Sequence, residues 1–266
     1  LTKKTTMPTT KETLDNIRAN GYDIDFGTVF NNAFENYKKI ALNAGLAMLL
    51  VSILVCIGVG LLVVSVIGVA ISTESLAQFK VENLSILWLV AYIFCAIVFG
   101  ALMSPINAGL IKMAHFASVG EEFSVGTAFD YYRNEYFKEI VMATVVITFF
   151  SSVLSIGLQW VGFQWLGIIM SISISILTFL TIPLIIFGNL KAMEAIEGSI
   201  LVVSKQFLIL FALIIVAAIF SCLGFFGFCI GIFFTIPIIY AMYYAIYSAV
   251  IGNQTSTPET VSSFTE

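Results

Sequence analysis

Beyond residue 39 the chain is apolar in four long runs, with charged residues confined to the gaps between them. Lys39 and Glu74 are separated by 34 uncharged residues, Glu82 and Lys112 by 29, Glu139 and Lys191 by 51, and Lys205 and Glu259 by 53. A membrane crossing needs about 20 apolar residues for a core of about 30 Å. A straight helix of the third run would reach about 77 Å, so the third and fourth runs must each fold back. The pattern therefore predicts an all-α polytopic membrane protein with one, one, two and two spans. Trp160, Gly162 and Trp165, flanked by Gln159 and Gln164, mark an interfacial turn in the third run. Gly224-Phe225-Phe226-Gly227 marks the turn in the fourth. The expected spans are 42–66, 86–111, 140–157, 167–190, 205–224 and 228–251, inside a membrane domain of 25–252. A polar cytoplasmic tail, 1–24, is expected before it, and a Ser/Thr-rich cytoplasmic tail, 253–266, expected to be disordered, after it.

A second periodicity precedes alternate spans. Phe26, Val29, Phe30, Ala33, Phe34 and Tyr37 recur at helical spacing, with Asn31, Asn32, Glu35, Asn36 and Lys38 on the other face. Asp25 is placed to cap that helix. Val125, Ala128, Phe129, Tyr132 and Tyr136 repeat the stripe before the third span, against Asp130, Arg133, Asn134 and Lys138 and with Ser124 as a cap. A weaker copy, Ala192, Ala195, Ile196 and Ser199, precedes the fifth. Helices with one apolar stripe are expected to lie in the membrane interface, here near 26–39 and 124–138. Phe30, Phe34, Tyr37, Phe129, Tyr132 and Tyr136 would then sit at the headgroups, with Lys38, Lys39 and Lys138 reaching phosphates. Spans two, four and six carry Ser104-Pro105-Ile106, Thr181-Ile182-Pro183-Leu184 and Thr235-Ile236-Pro237-Ile238. Pro105, Pro183 and Pro237 are expected to kink their helices, and the hydroxyls to satisfy the freed backbone groups. Together these features predict three pseudo-repeats of an interfacial elbow helix plus a helical hairpin.

Composition agrees: 59% hydrophobic residues, 11% charged and a mean hydropathy of +1.02 leave no room for a single water-soluble domain. Twelve basic residues against 16 acidic ones provide no nucleic-acid footprint. Of the basic residues, Lys80 alone falls on one side of the six-span arrangement and eleven fall on the other. The positive side is cytoplasmic, which puts both termini on the cytoplasmic side of a cell membrane. The first 24 residues are polar and the first apolar run is too long for a signal core, so a cleaved signal is not expected.

The amphipathic stretches, Tyr37-Lys38, Tyr136-Phe137-Lys138 and the three prolines resemble the bacterial six-helix membrane proteins that include the YciC-like proteins. The membrane domain fused to some glycerophosphodiester phosphodiesterases is similar. The resemblance spans about 25–252 and implies the six-helix fold, with no catalytic activity to carry over.

Candidate chemistry is sparse. His115 is the single histidine, and a metal site would need carboxylate or thiolate partners; Glu121 and Glu122 read as a solvated loop. An oxygenase iron centre built on four histidines is excluded. Cys56, Cys95, Cys222 and Cys229 form no CxxC pair and read as small buried hydrophobes, with Cys222–Cys229 the one conceivable disulfide. The serines of spans three and four lack a general base and read as packing residues, Ser151 with Ser155 and Ser171 with Ser175, as do Gly227 and Gly231. Asn107 and Asn189, just beyond prolines, either line a shallow polar cleft or terminate helices. The matches to the glycosylation pattern at Asn83 and Asn253 carry no weight. No cofactor is expected, and no ionisable residue lies at mid-span, where coupled transporters place one. The expectation is a non-catalytic accessory or scaffolding protein of a membrane complex or of lipid organisation. Its partners would be membrane lipids and other integral membrane proteins. The alternative is a lipid or small-molecule transporter using the space between the repeats.

Overall fold

The computed structural model describes residues 9–70, 86–227 and 230–252. Lys3, Lys4, Lys80, Asn83, Cys229 and the tail 253–266 lie outside these residues. All regular structure described is helical. A short helix α1 (Thr10–Asn20) leads into α2 (Phe26–Ala70) and α3 (Ile86–Val119). A 3-10 segment, Val125–Tyr132, connects α3 to α4 (Phe137–Trp160), which pairs with α5 (Gln164–Thr178). There follow α6 (Thr181–Ile186), α7 (Ala192–Lys205), α8 (Phe207–Cys222), α9 (Gly231–Thr235) and α10 (Pro237–Tyr247). Six segments are long and apolar enough to cross a membrane, from Phe26–Leu61 to Gly231–Gly252.

The polar segment before residue 25 contains structure that composition did not reveal. Thr9 and Glu12 cap α1 reciprocally: Thr9 N–H donates to Glu12 Oε2 at 2.8 Å, and Glu12 N–H to Thr9 Oγ1 at 3.3 Å. Leu14 and Ile17 are buried as α1 packs on α7, where Gly198 leaves room for Leu14. Lys11 pairs with Glu194 at 2.7 Å, and the Tyr22 hydroxyl donates to Val202 O.

The elbow helices differ from expectation. The stretch 26–39 is no separate interfacial helix but the opening of α2, a continuous helix of 45 residues. At about 67 Å it exceeds one bilayer core more than twofold. Asp25 does cap it, accepting Thr28 N–H at 2.7 Å. No proline interrupts the stretch, and the lysines that suggested a membrane boundary are satisfied locally. Lys38 bonds Glu35 at 2.6 Å and Lys39 donates to Ala117 O at 2.8 Å, closing the end of α3. The stretch 124–138 is no amphipathic α-helix either. It forms the eight-residue 3-10 segment followed by a turn, with Ser124 N–H donating to Thr127 Oγ1 at 3.2 Å. Gly109 of α3 lets this backbone approach so closely that an added Cβ would lie 2.3 Å from Ala128 O. The third and weakest copy is the one that forms a discrete helix, α7, and its stripe from Ala192 to Val203 is buried in protein.

Burial is confined to one end of the bundle. In α2 the buried stripe runs Val29, Ala33, Asn36, Ile40, Ala44 and Ala47, and no position from 48 to 61 is buried. In α3 none is buried from 90 to 103, whereas most are from Ser104 onward. In α4 Ala143 is the last buried position, and in α5 Gly167 is the one buried residue. The remainder of these hairpins forms arms with exposed side chains such as Leu54, Phe94, Phe150 and Ile169.

Candidate functional site

The three proline motifs meet. A cavity of about 490 Å³ lies between α3, α4, the α5–α6 segment and the α9–α10 segment, and Ser104, Thr181, Ile182 and Ile236 all stand in its wall. At Pro105 the helix continues, and the carbonyl deprived of its donor, Ala101 O, accepts the Ser104 hydroxyl at 3.1 Å. At Pro183 and Pro237 the helix is interrupted just upstream. α5 ends at Thr178 before α6, and α9 ends at Thr235 before α10 begins with Pro237 at its first position. The Thr235 hydroxyl donates across the hairpin to Ser221 O at 2.7 Å. These interruptions keep the helices from closing on one another.

The wall carries no Asp, Glu, Lys, Arg or His. Its polar groups are eight hydroxyls and one amide; half of the hydroxyls are engaged, and those of Thr148, Ser175 and Tyr243 have no partner among the described residues. Thr144 donates to Ile140 O at 3.0 Å, Thr178 to Ile174 O at 2.7 Å, and the Tyr240 hydroxyl to Asn107 Oδ1 at 2.9 Å. Asn107 is half-buried, and its amide N–H groups have no acceptor among the described residues. The Thr181 hydroxyl oxygen is buried without any hydrogen-bond partner. An uncharged, elongated space with unspent hydrogen-bonding capacity can hold a molecule but has no group to activate a nucleophile.

The remaining sequence candidates lie elsewhere. Asn189 takes a left-handed conformation at φ 53° after α6, and its Oδ1 accepts the Tyr136 hydroxyl. Of the two asparagines, Asn107 lines the cavity and Asn189 terminates a helix. His115 Nδ1 pairs with the Tyr244 hydroxyl at 2.9 Å among Phe116, Phe187 and Tyr244 rings. No group of three metal-ligating side chains occurs among the described residues. Cys56, Cys95 and Cys222 are exposed rather than buried.

The aromatic anchors face protein as much as solvent. Phe30 and Phe34 stack along α2, and Phe34 and Tyr37 meet Phe220 of α8 edge-on, at 5.6 and 5.5 Å between centroids. Phe129 is half-buried, Tyr132 donates its hydroxyl to Leu102 O, and Lys138 is exposed. Tyr131, absent from the sequence stripe, is the buried one; Lys112 lies over its ring and bonds Asp130 at 2.8 Å. Burial holds the Tyr131 hydroxyl well above its usual pKa. Gly227 has open space around its Cα, and the close glycine contact of this hairpin is Gly231 against Gly224 O. Ser151 and Ser171 face each other at 3.3 Å, and Gly167 packs on Ser155 O. Sequence reasoning missed the cavity tyrosines Tyr240 and Tyr243; the signal that could have found them is a Tyr240, Tyr243, Tyr244, Tyr247 stripe at helical spacing.

The six apolar segments, their helical pairing and the exposed apolar arms define an all-α multi-pass membrane protein. Comparisons with protein-family models, curated proteins and solved structures found no match.

Proposed function

We propose that the protein is a non-catalytic accessory component of the cell membrane, with both termini cytoplasmic, that organises lipid by holding a lipid-derived molecule within its helical core. The observation that carries this reading is the uncharged cavity where the three proline motifs converge. Its volume falls within the range of about 300–1,000 Å³ common to small-molecule sites. The absence of an acid or base in its wall speaks against proton-coupled transport and against hydrolytic chemistry. The proline-centred symmetry supports descent of the three hairpins from one repeated unit, with the elbow reduced to a 3-10 segment in the second copy.

The arms favour a second reading, a scaffold that packs beside other membrane proteins. Gly58 and Gly60 on α2 each stand in open space, on nearly opposite sides of the helix, and leave room for a partner helix to approach. Purification in mild detergent followed by mass spectrometry of co-eluting lipids and proteins separates the two. One enriched lipid class at about one per chain supports the first reading. A stoichiometric integral membrane partner with no enriched lipid replaces it with the second.

A further inference from the structure

Resting on the lipid-holding reading, we infer that the cavity takes an uncharged single-chain lipid whose hydroxyl or carbonyl oxygen accepts from the Asn107 amide. Volume points to one chain. At about 490 Å³ the cavity is in the lower half of the range of small-molecule sites, which suits one acyl or isoprenoid chain with a small head better than the two chains of a phospholipid. Shape agrees: the wall follows α3 from Phe99 to Ile111, about 18 Å of helix.

Charge sets the head. With no cation in the wall, a carboxylate or phosphate would be desolvated without a counter-charge, a cost far above that of a hydroxyl. Hydrogen bonding sets its position. Tyr240 occupies the Asn107 carbonyl oxygen, which turns the amide into a donor toward the cavity. The Thr181 hydroxyl oxygen is unpaired but sealed from the cavity as well, so it does not serve the head. Asn107 lies at the proline level, and beyond it Phe99, Gly100 and Ile147 line the wall together with the Thr148 and Ser175 hydroxyls. The head therefore binds at the prolines and the chain extends toward the arms.

The test uses the full chain in lipid nanodiscs with a diazirine-bearing hexadecanol as the probe, and hexadecanol, hexadecane and ionised palmitate as competitors. The expected result is saturable labelling of α3 and α6 peptides, displaced by hexadecanol at least tenfold better than by palmitate or hexadecane. Asn107→Leu should weaken labelling about five- to tenfold, the worth of one hydrogen bond, whereas Thr181→Val, whose hydroxyl is sealed from the cavity, should leave labelling unchanged. Unchanged labelling in a folded Asn107→Leu variant overturns the head assignment. Asn107→Asp should weaken displacement by palmitate further, because the anionic side chain repels a second carboxylate at the head position. Equal displacement by hexadecane overturns the head assignment and leaves the lipid reading standing. Preferential displacement by palmitate overturns the uncharged class. Labelling that never saturates, or that falls outside these helices, overturns the lipid reading itself.

Discussion

The proline end of the bundle and the arms of its first two hairpins are built from the same apolar alphabet and behave differently. At the proline end, small residues alternate with large ones: Ala33, Ala44, Gly109, Ala128 and Ala195 let backbones approach, and hydroxyls bridge them. In the arms, large aliphatic and aromatic side chains such as Leu61, Tyr92 and Phe150 point outward on every side. Lipid tails are as apolar as leucine, so nothing drives such faces together. Close packing in a membrane protein comes from size and hydrogen bonding, and hydropathy reports neither.

The largest effect expected from this contrast is at glycine. Gly109→Ala would force a Cβ to 2.3 Å from the Ala128 carbonyl oxygen. It should cost about 1–3 kcal/mol or prevent folding, read as a lowered melting temperature in detergent. Gly60→Ala, in open space in the arm, should be neutral or stabilise by up to about 1 kcal/mol through helix propensity. Equal losses at both sites would erase the distinction between core and arm.

Next comes Ser104→Ala. It strands the Ala101 carbonyl that Pro105 has already deprived of its donor, at about 1–2 kcal/mol. Ser173→Ala in α5, where the hydroxyl merely shares Ile169 O, should stay within about 0.5 kcal/mol. A neutral Ser104→Ala would mean that water or lipid, not the hydroxyl, serves the kink.

Aromatic contacts sharpen the picture further. Phe220→Leu removes edge-on contacts to Phe34 and Tyr37 and should cost about 0.5–1.5 kcal/mol beyond the lost area. Phe149→Leu in α4, whose ring meets no ring but that of its neighbour Phe150 among the described residues, should be silent in the same assay. If a spin label at Phe30 reports lipid depth unaffected by Phe220→Leu, the opening of α2 answers to the bilayer instead.

The smallest effect is electrostatic. The Lys11 hydrogen bond holds the Glu194 carboxyl below its usual pKa. A depressed carboxylate contributes stability that is present above its unfolded pKa and lost as pH falls through the folded value. Docking of α1 on α7 should therefore loosen only on acidification below the ordinary carboxylate range, seen as faster hydrogen exchange in α1. Both groups are exposed, so salt should weaken the effect. Loosening on alkalinisation in the neutral range would point to a different latch.

The number of spans, their approximate places and the three proline motifs were legible because charge burial and the missing proline N–H act through local sequence. The elbows were misjudged because an amphipathic stripe states that one face is covered, not by what. The 26–37 stripe is part of a continuous helix packed on α8 and α10, and the 125–136 stripe is drawn into a 3-10 turn by contact with Gly109. The segment before residue 25 was read as a tail because α1 buries only Thr13, Leu14 and Ile17, too few to mark a helix by pattern.

The sequence by itself determined that the chain is helical, membrane-embedded and free of charge at the middle of its spans, since each follows from hydrocarbon excluding ions and unpaired backbone groups. Tertiary structure alone decided that Ser104, Thr181 and Ile236 would face one another across a cavity, and that Asn107 would meet Tyr240. Those meetings join residues as many as 133 positions apart, and no local period encodes which helix lies beside which. That choice rests on the fit of small residues at crossings such as Gly45 against Phe234 and Gly109 against Ala128, which exists only once both helices are in place.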